Sequence, residues 1–237
     1  DAVFICMSLN NNVNVRRLER YLSISYDSGA APVVVLTKAD LCRDVDSKIS
    51  EVQNVATGVD VLAISSLEEN YEAVMKYIKP GKTVAFIGSS GVGKSTLINK
   101  LTGTDSIATR EIGNDDKGRH TTTHRELVTL PSGACVIDTP GMRELGMWDS
   151  RDGIDTAFAD IEELSRACKY ANCTHTSEPG CAVRRALENG TLDPARLASY
   201  RKLKTENEFA ADSSRYLEVK REKFKEIAKI NKSNRKR

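Results

Sequence analysis

No apolar run in this chain approaches the roughly 18 residues of a membrane-spanning helix, so no segment is expected to cross a bilayer. No secretory leader is visible either. The chain opens on Asp1 instead of Met and goes directly into Ala2-Val3-Phe4-Ile5-Cys6, so sequence upstream is expected to have been removed or not shown. Cysteine is sparse, with six in 237 residues; Cys6, Cys42 and Cys135 lie in or beside apolar strands and are expected in the core. The other three cannot all pair with one another, and without a secretory signal they do not read as a disulfide framework. Strong charge of one sign is missing too, since the formal net charge is +2. That small total hides an asymmetry: residues 201–237 carry 13 Lys/Arg against 6 Asp/Glu. A basic segment of this kind fits contact with nucleic acid, and it equally fits a solvated charged helix. The 40% hydrophobic and 29% charged shares are those of a globular protein, and the length suits one domain with a smaller appendage.

What is present is organised around Gly88-Ser89-Ser90-Gly91-Val92-Gly93-Lys94-Ser95, which matches G-x-x-x-x-G-K-[ST]. The apolar run Thr83 to Ile87 precedes it as a buried strand, and Thr96 to Leu101 follows with helical spacing. Glycines let the backbone curl until successive N–H groups face one anion, and the helix N-terminus adds its positive dipole end. The predicted nucleotide-binding residues here are Gly88, Ser89, Ser90, Gly91, Val92, Gly93, Lys94, Ser95 and Thr96. Lys94 is assigned to the β- and γ-phosphates and Ser95 to Mg²⁺.

Before this loop come three strand-and-helix repeats, with strands near Val3–Leu9, Val33–Leu36 and Val59–Ile64. After its helix come two strands joined by Pro131-Ser132-Gly133, a hairpin signature. The pattern predicts a six-stranded, mostly parallel α/β sheet. Asp138-Thr139-Pro140-Gly141 follows the last strand, where P-loop enzymes place a Mg²⁺-directed carboxylate; Asp138 takes that role and Gly141 offers its N–H to a γ-phosphate. Thr37-Lys38-Ala39-Asp40 ends the second strand and has the [NT]-K-x-D form that reads guanine. Asp40 would accept from the ring N–H and exocyclic amine that adenine lacks, with the stem of Lys38 along the base. Ser65 and Ser66 follow the third strand, where backbone N–H groups close over the guanine oxygen. Guanine motifs that precede the P-loop, with D-x-x-G last, mean a circularly permuted P-loop GTPase domain. The γ-phosphate sensor then feeds directly into whatever follows residue 147, so nucleotide state is expected to bias that part, with Trp148 in the connector.

The second part holds Cys168, Cys173, His175 and Cys181, a C-x4-C-x-H-x5-C spacing within 14 residues. Three thiolates and one imidazole complete a tetrahedral set for one structural Zn²⁺, with no position left open for catalysis. The expected domains are residues 1–147, the GTPase sheet, and residues 148–237, a small α-helical zinc-binding domain with a basic tail.

These motifs resemble the RsgA family, also called YjeQ or YloQ. The resemblance rests on the permuted order, on Gly118-Arg119-His120-Thr121-Thr122-Thr123, and on the zinc cluster followed by Glu178-Pro179-Gly180-Cys181-Ala182-Val183. It implies a cytoplasmic GTPase, stimulated by the 30S ribosomal subunit during late maturation of that particle and in contact with its rRNA. It also implies an N-terminal OB-fold domain that is not in this sequence, as expected of a fragment. The partners would be GTP/GDP and the small subunit, with no membrane, and the protein would act as a monomer. Met142 stands where many GTPases place a water-orienting Gln, so His120 is the candidate catalytic group, against its alternative as a solvated loop histidine. One of Thr121, Thr122 and Thr123 is expected to bind Mg²⁺, and Thr122 is the assignment. Gly91 replaces the Asn of potassium-activated GTPases, so no potassium dependence is expected. Two other readings stay open: a P-loop kinase or ATPase, which the Thr37–Asp40 motif argues against, and a zinc-dependent RNA-binding module whose nucleotide is structural.

Overall fold

The computed structural model describes residues 1–10, 13–65, 72–103, 126–138 and 151–210. Six strands form one sheet: β1 (Ala2–Ser8), β2 (Ala31–Thr37), β3 (Asp60–Ala63), β4 (Thr83–Gly88), β5 (Glu126–Thr129) and β6 (Cys135–Asp138). Their order is β3-β2-β1-β4-β6-β5. Every neighbouring pair is parallel except β5 with β6. β1 is buried at all seven positions because it lies between two parallel neighbours with both faces covered, which is why it reads as a continuous apolar run.

Helices α1 (Val15–Asp27), α2 (Val45–Gln53), α3 (Glu72–Met75) and α4 (Lys94–Thr102) connect the strands. The Asn14 side chain caps α1 by accepting from the Arg17 amide, and Asp44 caps α2 by accepting from Ser47. Alternation along each strand sends Phe4, Cys6, Val33, Val35, Val84, Phe86 and Val136 to one core, joined by Val74 of α3 and by Leu97 and Ile98 of α4. Phe4 and Phe86 are register partners with ring centroids 4.9 Å apart. Burying each ring contributes roughly 1.5–3 kcal/mol. Leu130 and Ala134 close the β5–β6 turn, with the Leu130 amide donating to Ala134 O at 2.8 Å.

The chain divides into two compact units, one within Asp1–Leu145 and Asp152–Asp160, the other within Gly146–Arg151 and Ile161–Arg237. Thus most of α5 (Arg151–Ala157) groups with the sheet, whereas the sequence reading places it after a boundary at 147. Its Gly153 permits a close helix approach, because a Cβ there would lie 2.0 Å from Ser23 O of α1. The second unit contains α7 (Ala182–Glu188) and residues 194–210, which are helical, with most of α6 (Ala159–Arg166). Its small core is built from Ile161, Val183, Ala186, Leu192, Leu197, Tyr200 and Leu203. Glu162 accepts hydrogen bonds from Tyr200 Oη and from Lys204 Nζ, the latter at 2.8 Å. Burial, helped by that carboxylate, raises the Tyr200 phenol to about 12.

Of the three cysteines expected in the core, only Cys6 is buried; Cys42 and Cys135 are half-buried. Cys42 follows a one-turn 3₁₀ helix in a connection, where little covers it. Residues 104–125, and 211–237 with most of the basic segment, lie outside the described residues. No helix among the described residues is long and apolar enough to cross a membrane.

Candidate nucleotide site and cysteine–histidine cluster

The carboxyl ends of the parallel strands come out along one edge of the sheet, with Ser8 beside Thr37, Cys6 beside Gly88 and Phe86 beside Asp138. In open α/β sheets this is the edge beyond which ligands sit. The loop Gly88–Ser95 leaves β4 at that edge and becomes α4. Gly88 has φ +149°, and a Cβ there would fall 2.4 Å from Cys6 O, so the loop can start only on glycine. Gly93 is the N-cap of α4 with φ +96° and has no side chain to cap the first-turn N–H groups. That end of the helix is left shaped for an anion. Lys94 is 6% exposed and folds back over the loop, with Nζ donating to Gly88 O at 2.9 Å and Ser89 O at 2.8 Å.

The Thr37–Asp40 segment meets this loop directly. Thr37 Oγ1 lies 2.5 Å from Val92 O, 55 residues away, and 3.3 Å from Met7 O. Lys38 adopts a left-handed conformation (φ +59°) that turns the chain out of β2 into the Ala39–Leu41 3₁₀ turn. Ser65, 1% exposed, donates from Oγ to Asp40 Oδ1 at 2.7 Å, and the Ala39 amide donates to Ile64 O at 3.1 Å. The ends of β2 and β3 are thereby locked together, with the Asp40 carboxylate oriented and exposed to solvent. An exposed acceptor beside a phosphate cradle is chemically suited to a ligand with donors at one end and anionic charge at the other.

Thr37, Lys38, Asp40, Ser65 and the nine residues Gly88–Thr96 therefore share one strand edge. The backbone of Asp138 ends β6 at the same edge. Ser66, His120, Thr122 and Gly141 lie outside the described residues. Sequence reasoning missed Arg17 and Tyr21. Both reach the loop from α1, where Arg17 Nη1 donates to Ser89 Oγ at 2.8 Å. Their i, i+4 spacing on a helix was the available signal.

In the second unit Cys168, Cys173, His175 and Cys181 place one ligand atom each within 4.8 Å of all the others. Cys168 Sγ lies 3.8 Å from Cys181 Sγ, and His175 Nδ1 lies 3.6 Å and 3.4 Å from those two sulfurs. Ligands about 2.1–2.3 Å from a tetrahedral Zn²⁺ are separated by about 3.4–3.8 Å, so the metal fits. His175 Nε2 is 3.2 Å from Ser165 Oγ, which leaves Nδ1 for coordination. Burial and the Arg201 charge lower the His175 pKa, so the imidazole is neutral as a ligand must be. Burial opposes ionisation of Cys168, but backbone hydrogen bonds from Val183 and Ala182 help hold the thiol below its usual value. Desolvation, helped by the other two sulfurs, pushes Cys173 up to about 11, so a bound metal would displace a proton there.

Glu178 builds the ligand loop: Oε1 accepts from Thr174 N at 2.7 Å and Thr174 Oγ1 at 2.6 Å, and Oε2 from Thr176 N at 3.0 Å and Ser177 N at 3.1 Å. Those donors, Thr174 foremost, hold its carboxyl well below the ordinary range. Arg201 donates to His175 O at 2.9 Å, tying residues 194–210 to the same loop.

A family model described as RsgA GTPase matches residues 1–148. A protein named small ribosomal subunit biogenesis GTPase RsgA 2, from Lactiplantibacillus plantarum, is 55% identical over 220 residues, covering 92% of this chain and 62% of its own length. A protein named small ribosomal subunit biogenesis GTPase RsgA, from Methanosarcina acetivorans, is 44% identical over 232 residues, covering 96% of this chain and 63% of its own length. The chain thus spans a little over three fifths of either relative. The crystal structure of YjeQ from Thermotoga maritima superimposes with a TM-score of 0.62 at 26% identity, covering 86% of this chain and 69% of that one. The structure of YloQ, described as a circularly permuted GTPase, also gives 0.62, at 28% identity, covering 90% and 68%. With its six-stranded sheet in permuted order, the chain belongs to the RsgA GTPase family.

Proposed function

We propose that this protein binds guanine nucleotide and hydrolyses GTP as a late assembly factor of the 30S ribosomal subunit in the cytoplasm, with turnover stimulated by that subunit and its rRNA. The observation that supports this most is the junction between the guanine motif and the phosphate loop, in which the Thr37 hydroxyl meets Val92 O while Ser65 holds Asp40 outward. Asp40 and Lys38 read the base, the N–H groups around Gly88–Thr96 receive the phosphates, and Lys94 turns from its two carbonyls to the β- and γ-oxygens. Ser95 and Thr122 would hold Mg²⁺, with Asp138 directed to it; the ion would neutralise charge developing on the phosphates. Gly141 senses the γ-phosphate and His120 orients water. Cys168, Cys173, His175 and Cys181 would hold one Zn²⁺, whose contribution is to fix the fold of the second unit. The protein acts as a monomer. The GTPase part is the sheet within residues 1–147, to which most of α5 adds, and the zinc-binding part is the remainder of residues 148–237.

GTP turnover measured with and without purified small subunits tests this, and the subunit is expected to raise the rate. An unchanged rate would favour an RNA-binding module with structural nucleotide, and equal affinity for ADP and GDP would favour a different P-loop enzyme. Base reading has its own test. Asp40→Asn replaces a dual acceptor by a group that donates, so GDP affinity is expected to fall at least tenfold while xanthosine diphosphate gains. Calorimetric titration with both nucleotides checks it, and unaltered GDP affinity would remove Asp40 from the site.

A further inference from the structure

Ser89, the second residue of the phosphate loop, is gripped from outside the loop. Arg17 Nη1 donates to its Oγ at 2.8 Å across 72 residues of sequence, and Tyr21, one turn along α1, hydrogen-bonds to the same hydroxyl. Tyr21 is 1% exposed and Ser89 8%, whereas Arg17 is half-buried, so its guanidinium reaches a buried hydroxyl from a partly open position. Arg17 also starts from a fixed point. Its amide donates to the Asn14 side chain at 3.0 Å, which anchors the first turn of α1. On its other side Ser89 accepts Lys94 Nζ at its carbonyl, at 2.8 Å. Two basic side chains therefore contact one loop residue, Arg17 at its hydroxyl and Lys94 at its carbonyl. A polyanion settling in the loop gains more from that basic pair the more charge it carries.

We propose that Arg17 is a positioning residue for the nucleotide phosphates. Acting through Ser89, it holds the second loop position in its anion-receiving shape and adds guanidinium charge behind the cradle. A rigid, permanently charged fork suits both tasks better than a flexible ammonium. The proposal rests on the guanine-nucleotide reading above and goes beyond it, since it assigns phosphate affinity to a helix outside every nucleotide motif.

The phosphate series tests it on the full chain. Affinities of the Arg17→Gln variant for GMP, GDP and a non-hydrolysable GTP analogue are measured by calorimetry, beside the melting temperature. The variant is expected to hold GMP within about twofold, to weaken GDP several-fold and the GTP analogue about tenfold, because the lost interaction grows with phosphate charge. Ser89→Ala, which cuts the link and leaves the arginine, is expected to reproduce the graded loss in weaker form, and Arg17→Lys to fall between wild type and Arg17→Gln. If Arg17→Gln fails to fold, those two variants carry the same comparison. An equal loss for all three nucleotides, or no loss, overturns the proposal, since a merely structural contact would not distinguish phosphate number. A wild-type chain that binds none of the three overturns the guanine-nucleotide reading instead.

Discussion

Lys94→Ala is expected to abolish tight binding of GDP and of a GTP analogue, weakening both at least about 100-fold. The ammonium is 6% exposed and bridges Gly88 O and Ser89 O, so it sits at the centre of the loop whose N–H groups are shaped for phosphate. Alanine removes the charge and leaves nothing to reach the β- and γ-oxygens. Truncating one partner of a buried charged pair costs about 2–5 kcal/mol, and about 2.7 kcal/mol already corresponds to 100-fold. The fold should survive. The apolar side of α4, carried by Leu97, Ile98 and Leu101, stays in the sheet core. Calorimetry with both nucleotides, run beside a thermal melt, checks this. Near-normal affinity in a folded Lys94→Ala protein would remove Gly88–Ser95 from the nucleotide site.

Removing the zinc proposed for the cysteine–histidine cluster is expected to unfold the second unit and leave the sheet intact. The described residues of that unit bury few large apolar side chains, chiefly Ile161, Val183, Leu192, Leu197, Tyr200 and Leu203. So small a core needs a staple. The ligands also anchor its helices. Cys181 caps α7 by accepting from Arg184 N at 3.4 Å, and His175 is tied through its carbonyl to Arg201. Structural zinc sites supply about 10–16 kcal/mol of apparent binding energy at neutral pH, which is folding energy when the metal-free segment is disordered. Chelation or Cys173→Ser should therefore lower helical circular dichroism and open residues 161–210 to protease, while the sheet, with its own core, stays resistant. Elemental analysis of pure protein should find one zinc per chain. A protein without zinc whose second unit is nonetheless protease-resistant would overturn the assignment.

How much of this was legible beforehand depends on how far apart in the chain the cooperating residues lie. The Gly88–Ser95 loop could be read as a motif because it is built from eight consecutive residues, with glycine required where Gly88 meets the backbone of β1. The cysteine–histidine cluster could be read because its four residues fall within 14. The strands could be read because parallel strands covered on both faces are continuous apolar runs, as β1 and β2 are. Motif order alone announced the permutation.

Tertiary structure alone decided which distant residues touch. Thr37 meets Val92, Ser65 meets Asp40 and Arg17 meets Ser89 only because strand order β3-β2-β1-β4 and the parallel register bring those strand ends and α1 together. Hydrophobic periodicity states that a segment is a strand or helix and which face is buried. It does not state what stands opposite that face. The same limit explains Cys42 and Cys135, whose apolar neighbourhood in sequence predicted a core that the packing leaves half open. Glu178 was visible as part of a motif. That its carboxylate gathers three backbone amides to shape the loop carrying Cys173 and His175 follows only from the folded turn, because a carboxylate's partners depend on where the backbone N–H groups point.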